Sequence, residues 1–486
     1  MAFADRFLAS RTFTLADQQW FAALSGDCNP MHLDPIAARR TQAGFPVVHG
    51  MHALLWALDC IAAANPGLAV PASIRVDFAT FLLVGQELSL RELAGSPNRR
   101  AIASASGTAT MTLELRYGVR RETKAPDFQW PPTDILTPDR PFVVELADME
   151  LQRGAVGFAT DPVELQVAFP AAAGWLGDRR LAALTCCTRL VGMVCPGLHS
   201  IFNRLDVDLV EDRDASSALA FSVTRVDLRF RNVRLAVNGG GISGALVTTA
   251  RHPPTSQPRM ADVAGIVERD SFGGAKTLIV GGSRGLGELT AKILAAGGAD
   301  VIVTYATGRA DAERVAAEIK EWGGHCEVFQ YDALRPAAAQ LTDRINSITH
   351  CYYFATSAIF QPSSGVFSKD RFHEFLRIYV DGFYDLCAAF QNSGNSGVHM
   401  FYPSSIAVSD RPIGMSEYVM AKAAGEILCD EINKNLDSIF VVCIRLPRLA
   451  TDQTVTLLSV DSMSAIDVML PLIRNVQGAA EAKASS

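Results

Sequence analysis

From about Ala275 onward, apolar β-rich runs alternate with helical stretches, and that rhythm admits few architectures. Parallel strands need a crossover of a dozen or more residues, so strict alternation of strand and helix builds a parallel sheet with helices on both faces. The runs fall at Thr277–Val280, Asp300–Thr304, Cys326–Gln330, His350–Phe354, Val398–Tyr402 and Ile439–Ile444. Helical stretches at Gly287–Ala296, Ala310–Trp322 and Glu417–Asn433 lie between them. The expectation is an α/β doubly wound parallel sheet over residues 275–478, with a small, polar and irregular tail from Gly478 to Ser486.

Before that point the chain reads as one plan used twice. Thr14 caps a short helix to Leu24, and Met51–Ala64 is apolar on almost every side, as a helix wrapped by a sheet should be. Strand-like runs follow at Ser73–Phe81, Glu87–Leu93, Ala101–Ser106 and Ala109–Tyr117. A proline-rich segment from Lys124 to Pro141 reads as a linker or a strapped loop. The pattern then returns: an apolar helix at Asp178–Val194, ended by Pro196-Gly197, and strands at Ile201–Leu209, Ala218–Val223, Val226–Phe230 and Ser243–Thr249. Three domains are expected, at residues 1–124, 142–258 and 275–478.

Bulk properties exclude several classes. With 49% apolar and 20% charged residues the chain suits well-packed cores, and a net charge of −7 offers nucleic acid no basic footprint. No apolar run approaches the roughly 20 residues of a membrane span, and Met1–Arg6 lacks a signal peptide's charged end and apolar core. The ten cysteines form no CxxC pair and have no histidine partners at zinc spacing, so no metal is expected. A cytoplasmic protein with reduced thiols is the expectation.

The stretch Ser25-Gly26-Asp27-Cys28-Asn29-Pro30-Met31-His32-Leu33-Asp34 sets a carboxylate and an imidazole five residues apart on a proline-marked segment. Val48-His49-Gly50-Met51 follows and opens the apolar helix. A carboxylate and an imidazole so placed suit moving a proton to and from a carbon beside a carbonyl. The stretch closely resembles the active-site segment of the MaoC-like (R)-specific enoyl-CoA hydratases, which have the hotdog fold. That resemblance implies an α+β double hotdog for the N-terminal region, with Asp27 and His32 holding the water that adds to a trans-2-enoyl thioester. It also implies that the Gly50 amide polarises the thioester carbonyl. The second half has no Asp-x-Asn-Pro-x-His stretch, although Pro196-Gly197-Leu198-His199-Ser200 resembles a turn of some hotdog dehydratases. It is read as a structural half that completes the sheet or shapes the acyl tunnel. Asp34 braces the turn, His52 and Trp56 belong to the core or tunnel wall, and His199 is structural. His49 is open between packing and a part in the site; Arg39-Arg40 is open between a solvated face and a phosphate contact.

The loop Gly281-Gly282-Ser283-Arg284-Gly285-Leu286-Gly287 follows a strand and opens a helix, the order a dinucleotide phosphate needs. Ser405, Tyr418 and Lys422 stand thirteen and then four residues apart, and on a helix Tyr418 and Lys422 share a face, so the ammonium is expected to lower the phenol's pKa. Together these resemble the short-chain dehydrogenase/reductase family, with its Rossmann-like sheet. That resemblance implies catalysis by Ser405, Tyr418 and Lys422, and cofactor contacts from Gly281, Ser283, Arg284, Gly285, Leu286, Gly287, Thr304, Asp332, Lys422 and Thr451. Asp332 would meet the adenine and Thr451 the nicotinamide amide. The second strand ends at Thr304-Tyr305-Ala306 without a carboxylate for a ribose hydroxyl, and Arg284 sits in the phosphate loop, which favours NADP(H) over NAD(H). The segment Ala355-Thr356-Ser357-Ala358, Tyr379 in place of a helix asparagine, and Pro447-Arg448 depart from the family pattern.

A hydratase and a ketoreductase share the 3-hydroxyacyl thioester. The expected protein is therefore a bifunctional enzyme of fatty-acid metabolism linking 3-ketoacyl, (R)-3-hydroxyacyl and trans-2-enoyl thioesters, on CoA or acyl carrier protein, as a homo-oligomer. Two alternatives stand beside it: an enzyme with one working half, and a non-catalytic thioester-binding scaffold.

Overall fold

The computed structural model describes residues 5–96, 98–104, 109–118, 134–159, 161–211, 217–357, 359, 367–395, 397–452 and 463–484. Residues 119–133, most of the segment expected as a linker, and Ala358 lie outside them. The chain divides into two compact units, one made by the first 253 residues and one beginning at Pro254.

In the first unit, Thr14 starts helix α1 (Leu15–Ser25) by a reciprocal cap. Its hydroxyl accepts the Asp17 amide at 3.1 Å, and its own amide donates to the Asp17 carboxylate at 2.7 Å. Helix α2 (Gly50–Ala64) buries every residue from Met51 to Leu58. That stretch exceeds two turns, so the helix is enclosed on all sides, and truncating one of its leucines to alanine costs about 2–5 kcal/mol.

A single sheet of 11 strands wraps this core. The strands are β1 (Arg6–Thr12), β2 (Ser73–Phe78), β3 (Glu87–Glu92), β4 (Arg99–Ser104), β5 (Ala109–Arg116) and β6 (Ile135–Leu136). They continue with β7 (Arg153–Gly157), β8 (Ser200–Leu209), β9 (Ala218–Asp227), β10 (Asn232–Gly239) and β11 (Ile242–Ala250). Their order is β1-β3-β4-β5-β2-β8-β11-β10-β9-β7-β6. Apart from the edge strand β6, the second half repeats the first as a mirror image about β2 and β8. Helix α3 (Asp178–Arg189), continued by a wider turn at Leu190–Val194, holds the place in the second half that α2 holds in the first. The central strands run antiparallel, with Ser73 opposite Asp208 and Asp77 opposite Arg204. Arg204 and Arg75 bridge across this seam to Asp77 and Asp206; being half exposed, these pairs fix register more than they add stability.

Sequence patterning placed separate strands at Ala218–Val223 and Val226–Phe230 and none at Asn232–Gly239. The structure instead runs β9 through to Asp227, turns, and returns as β10. Arg225, Asp227, Arg229, Arg231 and Arg234 dilute the apolar alternation there, and the ladder shifts register between Arg234 and Leu235, which breaks the two-residue period. The C-terminal tail differs too: a helix, Ala465–Ala484, covers most of the stretch expected to be irregular.

The second unit is a sheet of 6 strands in the order β14-β13-β12-β15-β16-β17, all neighbours parallel. They are β12 (Lys276–Val280), β13 (Asp300–Tyr305), β14 (Cys326–Gln330), β15 (His350–Tyr353), β16 (Val398–Ser405) and β17 (Ile439–Leu446). Helix α4 (Gly285–Ala296) follows β12, and α5 (Ser416–Asn435) joins β16 to β17. Along β12, Leu278 and Val280 enter one apolar core and Ile279 the other, so the sheet is covered on both faces as the strand–helix rhythm requires. The order reverses between β12 and β15, a Rossmann-like switch point that opens a crevice beyond the strands' carboxyl ends.

One polar residue lies deep inside α2. His52 stacks on Phe21 with ring centroids 4.4 Å apart, and neither of its ring nitrogens has a hydrogen-bond partner. Burial lowers its pKa from 6.5 to about 3. The folded state holds the ring neutral while the unfolded chain takes up a proton below its ordinary value. Its stability contribution is therefore full above pH 6.5 and falls by roughly 1.4 kcal/mol per pH unit as pH drops toward 3. Urea unfolding of the parent and of His52→Phe, compared between pH 6.5 and 4, is expected to show a shallower loss in the phenylalanine variant; equal slopes would overturn the assignment.

Candidate active sites

The first site begins where α1 stops. Gly26 takes the left-handed conformation (φ 71°) that ends the helix and turns the chain inward, delivering Asp27 to the interior. Asn29 caps the short helix Pro30–Leu33 through a bond from the Met31 amide at 3.2 Å. Its side-chain amide donates across to the Gly192 carbonyl at 3.1 Å and the Gly197 carbonyl at 3.3 Å. That helix presents His32, whose Nδ1 lies 2.7 Å from the Val47 carbonyl oxygen. Only a protonated Nδ1 suits an oxygen acceptor, which leaves Nε2 with a lone pair.

Burial raises the pKa of Asp27, against the pull of His32, the Thr188 hydroxyl and the Asn29 amide. Thr188 Oγ1 donates to Asp27 Oδ2 at 2.6 Å, and the Asn29 amide donates to Oδ1 at 3.2 Å. Burial lowers the pKa of His32, while the Asp27 charge and the bond to Val47 oppose it. The result is a neutral imidazole with a free lone pair next to a carboxyl group that ionises later than usual. Gly50 opens α2, where amides lack partners within the helix, and it lines one pocket with Asp27, His32, Thr188, Gly192, Ser200 and Phe202.

His49 belongs to this site as well. Its ring stacks on His32 with centroids 3.8 Å apart, its Nδ1 faces Gln18 Oε1 at 2.9 Å, and its Nε2 faces the Asp27 carbonyl at 3.1 Å. Ligand atoms of Asp27, His32 and His49 fall within 4.8 Å of one another, but His32 Nδ1 and both His49 ring nitrogens already face protein oxygens, a poor arrangement for converging on one ion.

Sequence reasoning missed the contribution of the second half. It supplies Thr188 to Asp27, and it supplies Gly192, where a Cβ would collide with both Asp27 carboxylate oxygens. Thr185 and Thr188 look alike in the sequence. In the structure Thr185 bonds back to the Leu181 carbonyl of its own helix at 2.8 Å, and only Thr188 turns to Asp27. His199 does not line the pocket; Ser200 beside it does.

In the second unit, the glycine loop joins β12 to α4. Gly281 has φ 78° and Gly285 φ 58°, and a Cβ on Gly287 would collide with the Gly281 carbonyl, so the turn is a tight cradle that side chains would fill. This cradle at a helix start fits a dinucleotide phosphate. Thr304 is engaged within the protein: its hydroxyl donates to the Ile279 carbonyl at 3.1 Å and accepts the Gly281 amide at 3.2 Å, so it pins the loop. Arg284 bonds Asp452 at 2.6 Å, so its guanidinium already has an anionic partner. Ser283 and Thr451 are buried, and Leu286 packs into the core on one face of the sheet. Asp332 caps the Leu334 amide at 2.9 Å and faces Arg335 at 3.5 Å.

β16 ends at Ser405, whose hydroxyl bonds the Tyr418 phenol on α5; Lys422 lies one turn further along that helix. Lys422 donates to the Pro403 carbonyl at 2.7 Å, and burial lowers its pKa to about 7. The sequence led us to expect the ammonium to depress the phenol's pKa. The structure differs: burial raises the Tyr418 pKa, and only the Ser405 bond opposes it. The Lys422 nitrogen stands 6.0 Å from the Tyr418 ring centre.

Comparison with known proteins follows the same division. Residues 5–114 match the MaoC like domain, and residues 275–459 match the short chain dehydrogenases. A fatty acyl-CoA reductase of Acinetobacter baylyi is 29% identical over 197 residues, covering 37% of this chain and 66% of that protein. An (R)-specific enoyl-CoA hydratase of Aeromonas caviae is 52% identical over 42 residues, 9% of this chain and 31% of that protein. The chain thus spans less than two thirds of the length of either curated relative. Among solved structures, a short chain dehydrogenase from Burkholderia cenocepacia in complex with NADP is 25% identical, covering 43% of this chain and 91% of that one, with a TM-score of 0.37. A short-chain dehydrogenase/reductase from Serratia marcescens is 24% identical over 36% of this chain and 74% of that one, with a TM-score of 0.33.

Two substitutions test the first site. Thr188→Val removes a hydrogen bond to a charged group, which is expected to raise the Asp27 pKa further, by roughly one unit. The acid limb of the rate of crotonyl-CoA hydration should move up in pH by that amount; an unmoved limb would show that Thr188 does not act on Asp27. Gly192→Ala should lower the same rate by about 100-fold, because the added methyl displaces the carboxylate. Retained hydration would show that the position of Asp27 is not critical.

Proposed function

We propose that this chain, which joins a MaoC-like dehydratase domain (residues 5–114) to a short-chain dehydrogenase domain (residues 275–459), is a bifunctional enzyme acting on 3-hydroxyacyl thioesters. One half interconverts trans-2-enoyl and (R)-3-hydroxyacyl thioesters, and the other interconverts 3-hydroxyacyl and 3-ketoacyl thioesters. The observation that carries the reading is the buried Asp27–His32 pair, with a free Nε2 and a carboxylate held by Thr188, on a chain that also places Ser405, Tyr418 and Lys422 at one strand end. The mirrored strand order around α2 and α3 supports a double hotdog, with domains at residues 1–124, 142–258 and 275–478.

In hydration, water lies between the Asp27 carboxylate and His32 Nε2, which accept its two protons as hydrogen bonds. As its oxygen bonds to C3, one of this pair takes a proton and returns it to C2, while the Gly50 amide holds the negative charge on the thioester oxygen. Dehydration reverses each step. In the second unit, a bound nicotinamide supplies or accepts the hydride. Ser405 orients the substrate oxygen, Tyr418 gives or takes its proton, and Lys422, one turn along α5, is placed to hold the bound cofactor beside them. NADP(H) is the proposed cofactor. Support for it comes from Tyr305-Ala306, where no carboxylate stands to bind a ribose hydroxyl; Arg284, paired with Asp452, adds less. We extend the proposal to CoA or acyl-carrier-protein substrates, a homo-oligomer and a cytoplasmic location. All ten cysteines are free, and among the described residues no helix is long and apolar enough to cross a membrane.

The departures at Ala355–Ala358, Tyr379 and Pro447-Arg448 favour a second reading, in which the reductase half binds substrate and only the hydratase half turns over. Two variants assayed for both reactions separate the readings. Asp27→Asn is expected to lower crotonyl-CoA hydration by about 10²–10⁴-fold and spare NADPH-dependent reduction of acetoacetyl-CoA, and Tyr418→Phe to do the opposite. A parent protein that hydrates but does not oxidise NADPH with CoA or carrier-protein substrates supports the second reading; one that does neither removes both.

A further inference from the structure

The ammonium of Lys422 lies in an aromatic enclosure. Its nitrogen stands over the ring face of Tyr379, 3.9 Å from the centroid, and 4.9 Å from that of Tyr402. Tyr379 is fixed from several sides. It sits fully buried on the widened helical turn Arg377–Asp381, stacks on Phe375 with an interplanar angle of 10°, and meets Tyr418 edge-on at 80°. Its hydroxyl is 2.5 Å from Thr356 Oγ1, and its carbonyl accepts the Tyr402 hydroxyl at 3.1 Å. Gly425 on α5 makes room for that hydroxyl, with which a Cβ would collide.

We propose that Tyr379 is a positioning residue whose ring face holds the Lys422 ammonium beside Tyr418, an inference that rests on the reductase reading given above. A ring face attracts a cation and does nothing comparable for a neutral amine, and it does so most strongly where water is excluded. Burial works the other way on Lys422. The other groups that act on this nitrogen are the Pro403 carbonyl, which accepts from it at 2.7 Å, the Tyr402 ring, Glu426 and Cys429 on α5 and Cys443 on β17. Glu426 is paired with Arg445 at 2.6 Å and with the Ser404 hydroxyl, so its charge is largely answered elsewhere. The Tyr379 ring, the nearest aromatic face, therefore adds to the Pro403 hydrogen bond in keeping the amine charged near neutral pH.

The test is the pH dependence of Lys422 carbamylation by cyanate in the full chain, read by peptide mass spectrometry, because only the neutral amine reacts. The parent and Tyr379→Phe, which keeps the ring and loses the hydroxyl, should share one midpoint. Tyr379→Leu should lower it by about one pH unit, a tenfold loss of proton affinity. Should the leucine variant not fold, Tyr379→Met takes its place. A leucine midpoint equal to the parent's overturns the inference. So does a phenylalanine midpoint displaced as far as the leucine one, which would assign the effect to the hydroxyl and Thr356. Because the readout needs no turnover, a shifted midpoint in a protein that does not oxidise NADPH keeps the inference and removes the reductase reading. An unshifted midpoint in an active reductase does the reverse.

Discussion

The first unit depends on the antiparallel pairing of β2 with β8. That pairing converts a five-stranded and a six-stranded arrangement into one sheet and sets α2 and α3 in one interior. It brings Thr188 and Gly192 to Asp27, although 161 residues of chain separate Thr188 from the carboxylate. Asn29 ties the same join from the other side, through the Gly192 and Gly197 carbonyls. The surroundings of Asp27 and the union of the halves are thus one piece of architecture.

Much of this was legible in the sequence because it rests on local patterns. The Thr14 cap, the enclosed helix from Gly50, the six parallel strands and the glycine turn each follow from residue spacing or backbone need. What stayed hidden depends on tertiary contact. No periodicity separates Thr188 from Thr185, and none says that Arg284 will find Asp452. The strand Asn232–Gly239 was obscured by charged residues and a register shift. His49, left open between packing and function, is stacked on His32 and bonded to Gln18, a partner far from it in sequence.

Both sites show burial competing with charge. Asp27 is pushed toward its neutral acid and restrained by His32, one hydroxyl and one amide; Lys422 is pushed toward its neutral amine among aromatic rings. In each, an ionisable group sits where water cannot stabilise its charge, and several neighbouring groups act on it. Such sites are sensitive to substitutions that touch no substrate.

The strand order has a practical consequence for anyone dissecting the protein. The matched segment, residues 5–114, ends before α3 and β8 begin. Expressed alone it would carry Asp27, His32 and Gly50 but expose one whole side of β2, a bare sheet edge open to self-association. It would also lack the hydroxyl that steadies its own carboxylate. A piece that keeps Asp27, Thr188 and Gly192 together is therefore the compact unit of the first 253 residues, more than twice the matched length.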